Sequence, residues 1–395
     1  MAKRAKKKRG PKPKYLDIAC PNPKCKRYAK KGLGNVVSNG TYRTRSTGKA
    51  RLFLCRTCGK AFSSRTGTAF FDLRSPRKRV LMGLRLLAEG LGLRGTSRVL
   101  EIKLDTIRRC WPRQLCTVNR SATCWFGIST FPRFKWMSFG PSLKKTPKSP
   151  WSDPLRSPLL PKKGRGRSLG TTWIWRAFAP EFRLRLASLV GNRTLYSARR
   201  LLRKIHGCLN GTLPLFTSDS LPHYADVLLE LYGQWKKPQP TGLPGRPCNV
   251  QRVASPDLRY ARVHKERQGG RVINVTQSIM FGKRRTVQTQ AALLKRADGS
   301  EGQINTSYIE RDNRALRQEL RRLTRKTLGF SKNRRELQHA LDFIDAHDNF
   351  VKPHGALRLK APSQGNRRWA PRTPAMAAGI SDHVWTLEEL LCYKA

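Results

Sequence analysis

The chain has 395 residues, with 81 Lys plus Arg against 24 Asp plus Glu and a formal charge of +57. Cations spread along a whole chain repel one another unless an anionic partner neutralises them, and nucleic acid is the usual partner. No run of about 18 apolar residues exists to span a bilayer, so a membrane partner is not expected.

The charged start, Met1-Ala-Lys-Arg-Ala-Lys-Lys-Lys-Arg9, lacks the apolar stretch of a secretory leader. Ten cysteines in such a chain point to reduced thiols and metal rather than disulfides. The expected compartment is cytoplasmic and nucleoid-associated. Length and apolar content permit two or three domains, each with its own core.

Residues 1–17 form a basic arm broken by Pro and Gly, expected to ride on DNA phosphates; Arg9 is a candidate for a minor groove. Residues 18–64 carry Cys20-Pro-Asn-Pro-Lys-Cys25 and Cys55-Arg-Thr-Cys58. Two Cys pairs so separated read as the knuckles of a closed, structural zinc site, because four thiolates suit a borderline-soft ion and leave no open position. Between them, Gly40-Thr-Tyr-Arg-Thr-Arg45 and Ala50-Arg-Leu-Phe-Leu54 alternate like a hairpin, the body of a zinc ribbon. Four unrelated thiols are the alternative.

Residues 75–111 read as helices over Arg77–Glu89, Thr96–Leu100 and Asp105–Trp111, with a Gly-Leu-Gly-Leu break after the first. The pattern is a helix-turn-helix in which Asp105 serves as N-cap and Thr106, Arg108 and Arg109 read DNA. An ordinary helical hairpin is the competing reading.

Residues 112–168 do not pattern like protein. No acid occurs between residues 106 and 152, and six prolines lie between Pro141 and Pro161. Trp125, Phe126, Phe131, Phe134, Trp136 and Phe139 are wrong for a solvated linker. Trp136 and Met137 have one codon each, so the bases TGG-ATG are certain. Reading from the last base of Lys135 gives Met or Val, then an obligatory Asp. With an AG-type codon at Ser138, Glu follows, then Leu or Phe, then Trp or Arg. A displaced reading frame or an authentic Pro-rich linker both fit.

Patterning returns at 170–357. Thr172–Phe178 and Arg183–Val190 alternate like adjacent strands, the second closed by Gly191-Asn192. A helix over Ser197–Ile205, a strand over Leu213–Asp219 and a helix over His223–Tyr232 follow. A basic Pro/Gly stretch at 234–247 and a strand over Arg271–Ile279 precede a helix over Tyr308–Leu320. Asp219 leaves a strand and Glu310 opens a helix, and two carboxylates so placed in a chain starved of acid suggest a divalent-metal site working on a polyanion. Their local alternatives are a turn residue for Asp219 and a capping box, Ser307-x-x-Glu310, for Glu310. His354 is expected in a solvated loop, and 358–395 reads as a C-terminal tail.

The block Thr306-Ser-Tyr-Ile-Glu-Arg-Asp-Asn-Arg-Ala-Leu-Arg-Gln318, with Leu323-Thr-Arg-Lys-Thr-Leu-Gly-Phe-Ser-Lys332, resembles the C-terminal block of insertion-sequence transposases of the IS-one type. Thr217-Ser-Asp219 followed by Tyr224 is similar to their second catalytic motif, and the ribbon plus helix-turn-helix to their DNA-binding part. The resemblance implies a multidomain α+β protein whose C-terminal half is an RNase H-like α/β core. It implies a prokaryotic DNA transposase, assembled as a homo-oligomer on terminal inverted repeats and using Mg2+ or Mn2+. Asp219 would be the second and Glu310 the third acid of a DDE triad, with Arg314 and Arg317 on DNA phosphates. The family's first acid lies in an Asp-Glu-x-Trp motif, where this chain has Trp136-Met137; Asp153 and Glu181 do not match it. The displaced frame restores that motif. The rival classes are a noncatalytic DNA-binding protein or repressor and a structure-selective nuclease.

Overall fold

The computed structural model describes residues 14–44, 48–68, 70–71, 75–110, 136–141, 172–209, 212–237, 249–269, 271–293, 301–324, 331, 333–360 and 368–393. Arg9 and most of 112–168 lie outside them. The fold is mixed α+β, with ten α-helices among the described residues, none long and apolar enough to cross a membrane.

The N-terminal sheet has the order β1 (Val36–Thr44), β2 (Gly48–Cys55), β3 (Ala61–Ser63), all antiparallel. Three helices follow: α1 (Arg77–Ala88), α2 (Leu93–Leu100) and α3 (Leu104–Cys110). Val80, Leu81, Leu84, Leu87 and Ala88 form the buried stripe of α1, the spacing of one helix face. Glu101, in the left-handed conformation at φ 54°, turns the chain between α2 and α3. Asp105 falls inside the first turn of α3 and does not cap it; the N–H groups of Thr106 and Ile107 go to the Lys103 carbonyl.

The larger sheet has six strands. They are β4 (Trp136–Pro141), β5 (Trp173–Ala179), β6 (Leu184–Gly191), β7 (Leu215–Asp219), β10 (Arg259–Gln268) and β11 (Arg271–Phe281), in spatial order β11-β10-β7-β4-β5-β6. A separate ribbon pairs β8 (Gly233–Lys236) with β9 (Gln251–Ala254). β4, β7 and β10 run parallel; β5, β6 and β11 join by antiparallel hairpin pairing. Part of the anomalous stretch thus sits mid-sheet, β4 pairing Met137 with Phe216 on one side and Ser138 with Phe178 on the other.

Helices cover both faces. Trp175, Ala177, Ala179, Phe216 and Tyr260 meet α4 (Leu195–His206) and α5 (His223–Tyr232) on one side. On the other lie α6 (Arg284–Ala292), α7 (Ser307–Glu319) and α8 (Arg334–Phe350), the last capped by Asn333, whose side chain accepts from Arg335 N–H at 2.8 Å. The stretch expected as a tail is instead packed. After the short pair β12 (Leu359–Lys360) and β13 (Trp369–Ala370), α9 (Pro374–Ala377) and α10 (Leu387–Cys392) bury Ala375, Leu387, Leu390 and Leu391 in the cluster that joins α1 to α8. Its LEEL run is amphipathic at helical spacing, which supplies that apolar face.

Two arginines fasten the second helical layer. A β-bulge sets Arg185 opposite Phe178, so Arg176 and Arg185 project from one face of β5 and β6. Both are buried. Arg176 pairs with Asp312 at 2.6 Å and Asp345 at 3.3 Å. Arg185 pairs with Asp312 at 2.8 Å, Glu319 at 3.1 Å and, most closely, Asp348. Removing one partner of a buried ion cluster leaves uncompensated charge and costs roughly 3–5 kcal/mol. In urea melts Arg185→Ala should lose about that much, whereas Arg199→Ala, at the half-exposed Arg199–Glu230 pair, should lose under about 1 kcal/mol. Equal losses would contradict the ranking.

Candidate functional site

The four predicted zinc ligands converge. Their ligand atoms all lie within 4.8 Å of one another. Cys20 and Cys58 Sγ are 3.7 Å apart and Cys25 and Cys55 Sγ 3.9 Å, near the roughly 3.8 Å edge of a tetrahedron with Zn–S of about 2.3 Å. These separations far exceed the roughly 2.05 Å of a disulfide. Burial pushes the Cys55 thiol up, but N–H groups of Cys58 and Thr57 and the Asn35 amide outweigh it and bring it down to about 6. Asn35 Nδ2 donates to Cys55 Sγ at 3.2 Å. The cluster can hold a metal such as zinc. Phe62 packs against it, and the rest of this small module's interior is little more than Val36, Ala50 and Phe53.

Asp219 ends β7, which pairs in parallel with β10 so that Asp219 sits opposite Val263. Its carboxyl is held at about 6, above the usual 3.8, mainly by burial, with the negative charge of Glu310 adding to the rise and Arg193 opposing it. Glu310 Oε1 accepts from Lys265 Nζ at 2.6 Å and from Thr306 Oγ1 at 2.8 Å. The two predicted acids, far apart in sequence, thus lie close enough for the charge of Glu310 to be felt at Asp219. No capping box forms at α7: Thr306 precedes the helix without a side-chain cap bond, and its hydroxyl donates to the Glu310 carboxylate instead. Among the described residues the four cysteines are the only group of three or more metal-ligating side chains. Asp219 and Glu310 belong to no such group, and Lys265 supplies the counter-charge to Glu310.

The predicted DNA contacts fare unevenly. Arg108 is engaged with Glu336 of α8 at 2.7 Å, and Glu336 also holds Arg322 at 2.9 Å. Arg108 faces its own protein because an acid from another element lies within its reach. Thr106 lies half-buried beside Ile107, which packs into the α1 cluster. Arg109 lies on α3, but its side chain is outside the described residues. Arg314 is exposed on α7 and Arg317 half-buried. Exposed cations that the sequence reading passed over are Arg94, Arg98 and Lys103. Tyr224 is core, its ring edge-on to Trp175 at 5.7 Å. His354 caps the turn after it, its Nδ1 accepting from Ala356 N–H at 3.2 Å.

Missed near the acids were Lys265, Thr306 and Arg193, the last stacked 4.9 Å over Trp173. None of the three stands out in the sequence, where Lys265 and Arg193 are two cations among 81 Lys plus Arg. None of the known families, curated proteins or solved structures compared with the chain matches it.

Two outcomes follow from this geometry. Cys58→Ser should lower the thiolate-to-metal absorption of the cobalt-substituted protein by about a quarter, one of four thiolates being lost, while Cys208→Ser, buried in another core, should leave it intact. A raised carboxyl favours its proton in the folded state, so ionised Asp219 costs stability above about pH 6, and the cost vanishes below about pH 4. Asp219→Asn should therefore stabilise the protein at neutral pH by on the order of 1–3 kcal/mol and do nothing in acid. Destabilisation at neutral pH would contradict that sign.

Proposed function

We propose that the chain is a DNA transposase of the insertion-sequence kind, impaired in this copy because its carboxylate site is one acid short. The observation that carries the reading is the convergence of Asp219 and Glu310 beside Lys265, within a chain of charge +57. The strand order supports it too. Three parallel strands flanked by an antiparallel pair, with helices on both faces, is the layout expected of an RNase H-like core. β4 occupies the position where the family's first acid is expected, and Met137, which overlaps the obligatory Asp of the displaced frame, lies on that strand.

Carboxylate oxygens suit a hard cation such as Mg2+ or Mn2+, and such an ion would activate a hydroxyl and hold the leaving oxygen at phosphorus. With two acids the donor set does not yet fit that role. What the chain's own residues do here is narrower. Thr306 and Lys265 hold Glu310 in place, burial keeps Asp219 near half-ionised close to pH 6, and surrounding cations attract the phosphate backbone. The zinc ribbon and helices α1–α3 are proposed to hold transposon ends, with the protein acting as a homo-oligomer at the nucleoid.

The ion pair between Lys265 and Glu310 favours a second reading, a noncatalytic DNA-binding protein or repressor. One experiment separates them. The coding DNA is sequenced across 112–168, the frame is restored, and cleavage of end-containing duplex in Mg2+ is compared with the chain as written. The transposase reading expects bases spelling Val-Asp-Glu-Leu-Trp, cleavage after repair, and its loss in Asp219→Asn or Glu310→Gln. Codons that cannot spell the motif, or full cleavage without repair, would overturn the assignment of the missing acid.

A further inference from the structure

Beyond Val263, β10 leaves the main sheet. Its pairing with β7 stops at Asp219, yet the strand runs on to Gln268 with β11 as its only strand partner among the described residues. The two strands form an antiparallel ribbon closed through Gly269, whose φ of +57° suits a tight turn. Five residues of strand reach about 17 Å, and the reach begins opposite the carboxylate of Asp219.

The root of this ribbon is fixed to the loops that carry the two acids. His264 Nδ1 and Ser220 Oγ are 2.8 Å apart, one residue after Asp219. Lys265 donates to Glu310, and Gln277 Nε2 donates to the Ile304 carbonyl at 2.9 Å. The distal half is the opposite. Every residue from Arg271 to Ser278 is exposed, including Val272, Ile273 and Val275 at 46%, 61% and 49%. A strand exposed on both faces covers no core among the described residues, and so many apolar side chains in water mark a surface with a partner.

Charge decides which partner. The distal ribbon carries Arg267 and Arg271 against Glu266, in a chain whose excess of cations already selects a polyanion. A two-stranded β-ribbon is also one of the few elements that a B-form major groove, about 12 Å wide, admits. We propose that the β10–β11 ribbon is a groove-entering arm that lies in double-stranded DNA next to the phosphodiester held at Asp219 and Glu310. Arg267 and Arg271 grip phosphates on either side, and Ile273 meets the base edges. This rests on the reading of the chain as a DNA-processing protein and adds to it a site outside the acids, the zinc ribbon and the helix-turn-helix.

The test measures equilibrium binding of the full chain to a short DNA duplex by fluorescence anisotropy across a salt titration. Each phosphate contact contributes about 0.9 to the slope of log K against log salt. The double variant Arg267→Gln, Arg271→Gln should therefore bind about tenfold more weakly, with a slope shallower by about 2. Arg267→Lys with Arg271→Lys should restore the slope. Arg200→Gln with Arg203→Gln, the same charge removed from exposed positions of α4, should change the slope little. Unaltered zinc content and unfolding midpoint show that the variants remain folded. A glutamine pair that binds with the wild-type slope overturns the proposal, all the more if sedimentation shows it dissociating a wild-type dimer, which would make β11 a contact between copies. Failure of the wild-type chain to bind duplex at all would instead sink the DNA reading itself.

Discussion

Arg176 and Arg185 are held between β5, β6, α7 and α8 by Asp312, Glu319, Asp345 and Asp348. A buried guanidinium is tolerable only when it is paired and hydrogen-bonded, so each helix must dock at the angle and height that brings its acids to the arginines. The chain has 24 acids in all, and it places four of them here. The strong attraction of Arg185 holds the Asp348 carboxyl well below the usual carboxylate range despite its burial. Asp345 goes the other way, because burial outweighs the two guanidinia. Asp312 stands two residues after Glu310 on α7, so the contact that sets the register of the helix also sets Glu310 beside the end of β7. The N-terminal helices are tied into the same frame. Gly90, at φ +88°, closes the turn after α1 so tightly that a Cβ there would meet the Gln318 and Glu319 carbonyl oxygens at 3.3 Å.

The elements that the sequence made legible are those with strong local patterning. The strand pair at β5 and β6, the helices α4, α5 and α7, and the Cys pairs with their hairpin all fall within a few residues of expectation. Asp219 and Glu310 were readable for the same reason, since one ends an apolar run and the other opens an amphipathic helix. The misses share a physical cause, namely that long-range pairing decides them. Arg185 looks like an outward residue of an alternating strand until a bulge turns it inward. Arg108 looks like a groove reader until Glu336, 228 residues later, takes it. Lys265 is one cation among 81 Lys plus Arg, and nothing local separates it from the rest. Residues 374–392 read as a tail because the surface that they cover belongs to α1 and α8.

β4 shows sequence and structure in tension. Its residues alone give no reason for a strand, yet Trp136–Pro141 lies between β5 and β7. A mixed sheet covered on both faces needs a strand at that position to satisfy the backbone groups of both neighbours. Backbone pairing can be met by almost any side chains, whereas the chemistry of the site cannot. Lys265 makes up part of the difference, its ammonium balancing the carboxylate of Glu310.

The central claim is that Asp219 and Glu310 occupy one electrostatic site, and carbon-13 NMR titration of the Asp219 carboxyl tests it most directly. In the wild-type chain the carboxyl should titrate at about 6. Glu310→Gln removes a negative charge and releases the Lys265 ammonium, so the Asp219 titration should move downward while burial keeps it above the usual 3.8. A midpoint that stays where it was would place the two carboxylates out of each other's reach and contradict the account.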